Sequence, residues 1–124
     1  MKQIHTDNAP KALGPYSQAI EAGGMVFASG QVPIDPSTDK FVEGGIKEQT
    51  RQALTNAQAI LREAGTDLHH VVKTTVFLSD MDNFAPMNEV YAEFFAQPYP
   101  ARSAVAVKTL PKGALVEVEC IAVK

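Results

Sequence analysis

Hydrophobic positions change their period several times along the chain, and each change marks an element. Residues 2–5 form a short strand, followed by a loop at Asn8-Ala9-Pro10-Lys11. Residues 17–22 and 25–31, separated by Gly23-Gly24, read as a hairpin. The next stretch, 32–45, holds Pro33, Pro36, Gly44 and Gly45 and reads as a long ordered loop. At Ile46 the period becomes helical: Ile46, Thr50, Ala53, Leu54, Ala57, Ile60, Leu61 and Ala64 follow three-four spacing, and Gly65 stands where the helix should end. A β-branched strand at 71–79 precedes a second helix, capped by Asp80 or Asp82, that carries Phe84, Met87, Tyr91, Phe94 and Phe95. This aromatic stripe belongs to a core rather than to a cofactor box. Gln97-Pro98-Tyr99-Pro100 breaks that helix, and two last strands, 101–107 and 115–123, are joined through Pro111-Lys112-Gly113.

The order is therefore βββαβαββ, with each helix apolar on a single stripe. That implies an α+β two-layer sandwich, a mixed β-sheet with both helices on one face. The strands are too apolar on both sides for the other face to meet water, so a symmetric oligomer should cover it, with ligand sites at the seams.

Composition narrows the function classes. At 124 residues the chain is expected to form one domain, 1–124, long enough for a real core. With 11 Lys and Arg against 14 Asp and Glu, the net charge is −3 and offers no basic footprint, so nucleic acid is not an expected partner. No signal-like segment opens the sequence and no apolar run reaches membrane-spanning length, so the expected location is cytoplasmic, away from membranes. One cysteine, Cys120, and three scattered histidines give neither an internal disulfide nor familiar metal-ligand spacing. Cys120 reads as a small buried hydrophobe.

Two charged residues stand out against this background. Arg102 opens the apolar run Ala101–Val107, and its planar fork of donors suits a carboxylate. Either a small acid or a structural Asp or Glu would satisfy it. Glu119 lies mid-strand between apolar neighbours, a costly place for a carboxylate, which must be neutralised, paired or used. On a two-residue alternation it shares a face with Leu115, Glu117, Ile121 and Val123, Glu117 lying nearer the strand's solvated beginning. Glu119 and Arg102 would explain each other if they were partners. Tyr16 is delivered to a strand start by Gly14-Pro15, and Gly30 near a strand end marks either a close approach of ligand or backbone or a simple strand terminator.

Taken together, Gly14-Pro15-Tyr16-Ser17-Gln18, Ala28-Ser29-Gly30-Gln31, Val72-Lys73-Thr74-Thr75-Val76-Phe77, Asn88-Glu89-Val90-Tyr91, Pro100-Ala101-Arg102-Ser103 and Glu117-Val118-Glu119-Cys120-Ile121-Ala122 resemble the RidA family, also called YjgF/YER057c/UK114, over essentially the whole chain. The resemblance implies a chorismate-mutase-like subunit assembled as a homotrimer with clefts between subunits. It implies hydrolysis of reactive enamines and imines, such as 2-aminoacrylate and 2-iminopropanoate, to 2-keto acids and ammonia. Because enamines tautomerise and hydrolyse without help, positioning and modest acid-base work should suffice, and no metal or organic cofactor is expected. By position, Arg102 matches the arginine that grips the substrate carboxylate and Glu119 the glutamate that holds water or iminium. Tyr16, Ser29, Gly30 and Asn88 match other cleft positions. The family often has cysteine two residues after the arginine; here Ala104 stands there, leaving only its backbone groups.

Two rival functions remain. A non-enzymatic trimer sensing small carboxylates would need Arg102 more than Glu119. RNA cleavage, also ascribed to some members, fits poorly with an acidic chain lacking a matched pair of histidines.

Overall fold

In the computed structural model, which describes residues 1–124, eight strands and two α-helices follow the chain as β1 (Lys2–Ile4), β2 (Ala19–Ala22), β3 (Met25–Gln31), β4 (Ile34–Asp35), β5 (Lys40–Phe41), α1 (Ile46–Glu63), β6 (Val71–Leu78), α2 (Phe84–Phe94), β7 (Ala101–Ala106) and β8 (Val116–Val123). Six strands form one sheet in the order β1-β2-β3-β8-β6-β7. Only β6 and β7 run parallel, so the sheet is mixed and β7 is an edge.

Residues 32–45 differ from expectation. They contain a small hairpin, β4 with β5, whose turn is set by Asp35 accepting hydrogen bonds from the Ser37 backbone N–H at 2.8 Å and hydroxyl at 2.7 Å. Strands of two residues are too short to show a hydrophobic period.

The first helix ends as its pattern predicts, with Gly65 at φ 87° just beyond it, and its start is fixed by Glu48 accepting from the Gly45 N–H at 3.2 Å. The second helix begins differently. Asp80 caps a 3-10 turn, Met81–Asn83, by accepting from the Asp82 N–H at 2.8 Å, and α2 follows from Asn83 without a side-chain cap of its own. Phe95 lies just outside the helix in an extended conformation but remains in the core.

Alternation in the strands separates the two faces. Val26 and Ala28 from β3, Val76 and Leu78 from β6, and Val116, Val118, Cys120 and Ala122 from β8 are buried in one core with Leu54, Ile60 and Leu61 of α1 and Met87 and Tyr91 of α2. No helix covers the opposite face. There Phe27, Val105 and Val123 are 44%, 45% and 37% exposed in the single chain.

Candidate functional site

The sequence-derived candidates fall into two groups, and the register of the central strands explains why. Thr74 of β6 is paired with Arg102 on one side and Cys120 on the other, whereas Thr75 is paired with Ser103 and Glu119. Adjacent residues of a strand point to opposite faces. Arg102 therefore sits on the helix side of the sheet and Glu119 on the open side.

At the edge strand, Arg102 reaches toward α2. Its Nη1 donates to Asn88 Oδ1 at 2.6 Å, and its guanidinium carbon lies 4.7 Å from the Tyr91 ring centre and 5.4 Å from that of Phe84. Phe84, Asn88 and Tyr91 recur at four- and three-residue spacing, so one stripe of α2 supplies all three contacts. No carboxylate approaches Arg102 within ion-pair distance. The structural pairing of Arg102 with Glu119 entertained from sequence is therefore absent. Ala104 lies on the same face of β7, partly buried against the core.

The second group surrounds a cleft of about 470 Å³ whose lining includes Tyr16, Ser29, Gly30, Glu117, Lys11 and Lys112. It is built by a β-bulge. Ala28 pairs with Cys120 and Gln31 with Val118, leaving Ser29 and Gly30 together opposite the single residue Glu119. Such a two-against-one insertion bends its strand and re-aims what it carries. Ser29 Oγ donates to the Ser17 carbonyl at 2.6 Å, tying the bulge to the segment that bears Tyr16. Gly30 has no side chain, and the Glu117 carboxylate occupies the space a Cβ would take.

Buried amides fix this cleft. Gln18 accepts from the Thr6 N–H at 2.7 Å and donates to the Thr6 carbonyl at 3.0 Å and the Pro10 carbonyl at 2.8 Å, pinning the N-terminal loop to the cleft wall. Gln31 donates to the Ser29 carbonyl at 3.2 Å, and Asn56, on α1, donates to the carbonyls of Val32 and Ile34 at 3.2 and 2.8 Å. Leaving such buried groups unpaired would cost about 1–3 kcal/mol each, so the amides hold the backbone in place.

The carboxylate at this cleft is Glu117, not Glu119. Glu117 is half-buried, and burial first, then the nearby Glu119 charge, push its carboxyl above the usual glutamate range. Glu119 is exposed on the open face, beside a smaller hollow of about 190 Å³ lined with Phe27, Lys73 and Thr75. In the single chain Glu119 is thus the more exposed of the two and Glu117 the more sheltered, the opposite of the order that position along the strand suggests. Strand alternation gives both residues the same face; the bulge and bare Gly30 are what shelter Glu117.

A single chain does not unite the two groups. From β3 to β7 there are three inter-strand steps of about 4.8 Å each, and Arg102 and Glu117 leave the sheet on opposite faces.

Residues 6–124 match the family described as endoribonuclease L-PSP. The chain belongs to this family, the RidA family of the sequence resemblance. Among relatives, a RutC family protein of Pyrococcus horikoshii is 59% identical over 121 residues, covering 98% of this chain and 96% of its own length. The mouse 2-iminobutanoate/2-iminopropanoate deaminase is 49% identical over 123 residues, covering 99% and 91%. The RidA fold is also that of Escherichia coli TdcF, solved with bound serine, which matches with a TM-score of 0.94 at 42% identity and covers 100% of this chain and 99% of that one. Its mixed sheet with two helices is the architecture expected from the element order.

Proposed function

We propose that this RidA-family chain hydrolyses small 2-imino and enamino acids to 2-keto acids and ammonia, in a cleft where Arg102 of one subunit meets Tyr16, Ser29, Gly30 and Glu117 of the next. The observation that carries this reading is Arg102 itself: a half-buried guanidinium, held by two rings and an amide, with no protein carboxylate. A cation fixed in this way is ready for a ligand's carboxylate. Serine bound to TdcF and the activity named for the mouse relative are consistent with ligands of that class.

The chemistry follows from the two half-sites. Arg102 anchors the substrate carboxylate and so places C2 over the opposing cleft. Glu117 takes a proton from water as the oxygen attacks C2, and the electron pair of the C=N bond moves onto nitrogen. Glu117 then returns that proton to nitrogen to give the carbinolamine. It next takes the hydroxyl proton as the C2–O bond becomes a carbonyl and the C–N bond breaks, and passes that proton to the departing nitrogen, which leaves as ammonia with the keto acid behind. A carboxyl with a raised pKa is a better base than an ordinary one, and such proton transfer typically contributes about a hundred- to ten-thousandfold. The Tyr16 hydroxyl and the bulged backbone at Ser29 and Gly30 orient the remaining polar atoms. Ala104 supplies no thiol, so no step passes through one.

The assay is keto-acid release from freshly generated 2-aminoacrylate, with RNA degradation and 2-oxobutanoate binding measured on the same preparation. Saturable release abolished by Arg102→Ala supports deamination. Binding without release above the buffer rate would favour a carboxylate sensor, and RNA cleavage without release would overturn the reading.

A further inference from the structure

The stripe of α2 beneath Arg102 does more than fill the core. Tyr91 is buried, its ring 4.7 Å from the guanidinium carbon, and its hydroxyl lies 2.8 Å from Thr74 Oγ1, on the strand between β7 and β8. Behind it Phe95 stacks on the same ring at 4.4 Å between centres, tilted by 31°. Phe84 supports the cation at 5.4 Å. Asn88, between the two in sequence, turns its carbonyl oxygen to Nη1; because arginine only donates, this orientation leaves the Asn88 amide N–H groups directed elsewhere, and no protein acceptor takes them. Of the five guanidinium donors, one is used on Asn88 and none of the others meets a protein acceptor.

We propose that Phe84 and Tyr91 are positioning residues for the Arg102 anchor, an aromatic cradle that holds the guanidinium plane so that its remaining donors, with the free Asn88 amide, converge on the substrate carboxylate. This rests on the reading of Arg102 as the carboxylate anchor. An arginine on a flexible stem must lose rotamer freedom when a ligand binds, and that loss weakens binding. Here ring faces and the Asn88 amide fix the stem beforehand. The Thr74 hydroxyl in turn fixes the Tyr91 ring from the strand adjoining β7, so the cradle and Arg102 are referenced to the same part of the sheet. The rings, rather than the tyrosine hydroxyl, do the holding: a cation over an aromatic face is stabilised by the ring's quadrupole, which phenylalanine shares.

The test is a ligand-observed NMR titration with 2-oxobutanoate, together with melting temperature, on the wild type and on Arg102→Ala, Phe84→Leu, Tyr91→Phe, Tyr91→Leu and Phe95→Leu. Phe84→Leu and Tyr91→Leu should each raise Kd by about fivefold, within the range expected for losing one partly desolvated cation–ring contact. Tyr91→Phe should stay within about twofold of wild type, rescuing the loss by restoring the ring. Phe95→Leu, which trims the same core without touching Arg102, should lower the melting temperature and leave Kd unchanged. Should Tyr91→Leu fail to fold, the partly buried Phe84 decides. Wild-type Kd in folded Phe84→Leu, or a Phe95→Leu loss as large as that of Phe84→Leu, would overturn the cradle. Wild-type binding by Arg102→Ala would instead remove the anchor reading on which it rests.

Discussion

Glu117 fills the space that a side chain at Gly30 would need, since a Cβ built on Gly30 would overlap the Glu117 carboxylate. The glycine therefore leaves room for the Glu117 side chain rather than simply ending a strand. What it would displace is the far end of a flexible side chain, so the fold can absorb a methyl group there. Gly30→Ala should keep a melting temperature close to wild type while imine turnover falls by about a hundredfold, the lower end of what misplacing one acid-base group removes. Circular dichroism melts beside keto-acid release would check this; unchanged turnover would separate Glu117 from the chemistry.

Glu117 also predicts a trade between stability and activity. Its folded pKa lies above the ordinary 4.5 because burial disfavours the charge. The sign follows from linkage: the folded state prefers the protonated form, so the contribution to stability is full below about 4.5 and is lost as pH rises through the folded pKa. Glu117→Gln removes that loss. At pH 7 the variant should melt at or above the wild-type temperature, with the difference vanishing in acid, while turnover falls by at least about a hundredfold. Glu119→Gln should affect turnover less, because Glu119 lies outside the Tyr16, Ser29, Gly30 and Glu117 cleft. A larger kinetic effect at Glu119 would reverse the assignment of the two carboxylates.

How far the sequence reached depended on the range of the interaction involved. Helix α1 and strands β3, β6 and β8 have enough residues to show their period, and the six-residue edge strand β7 is punctuated by Pro100 on one side. The hairpin of β4 and β5 has no period to show. Arg102 and Asn88 were legible as candidates but not as neighbours, since the contact joins an edge strand to a helix 14 residues earlier. The distinction between Glu117 and Glu119 was out of reach of alternation alone, which puts both on one face. It required the bulge that sets Ser29 and Gly30 opposite one residue of β8, a matter of register between strands nearly ninety positions apart. Gly30 was the available signal, since a bare position in a strand marks something approaching it.

Cys120 faces the core beneath the sheet, between the α-helices and the exposed Glu119 side. Burial first, and Glu119 second, push its thiol up to about 12, so almost no thiolate exists near neutral pH. The native protein should resist iodoacetamide and Ellman's reagent at pH 8 and react stoichiometrically once unfolded in guanidinium. Cys120→Ala should retain wild-type turnover. Rapid labelling of the native protein, or a turnover loss in a folded Cys120→Ala, would show that this thiol is accessible or used.

Arg102 separates charge from shape. Lysine would keep the positive charge but present a point donor in place of a planar fork, and it stacks poorly over Tyr91 and Phe84. Arg102→Lys should therefore lose most of the carboxylate affinity lost by Arg102→Ala, measured as Kd for 2-oxobutanoate. Affinity near wild type in the lysine variant would mean that charge alone is recognised.

The last prediction concerns assembly, and it follows from the separation of the two half-sites. Arg102, with Asn88, points to the helix side of the edge strand, while Glu117 leaves the opposite face two strands away, on β8. No small acid spans that distance within one chain. The uncovered face, with Phe27, Val105 and Val123 at 44%, 45% and 37% exposure, provides apolar surface for neighbouring copies. If a second subunit brings its own Glu117 cleft to Arg102, turnover requires the oligomer, expected to be a homotrimer, even where each chain remains folded. Dilution favours dissociation by mass action, so activity per chain and mass from light scattering should fall together through a dilution or mild-denaturant series. Mixing two inactive variants sharpens the test. Arg102→Ala and Glu117→Gln, dissociated together and reassembled, should regain part of the activity because some seams receive an intact Arg102 from one chain and an intact Glu117 from the other. Full activity in a monomer, or no recovery in mixed assemblies of confirmed wild-type mass, would place the reacting groups within one chain and overturn the shared cleft.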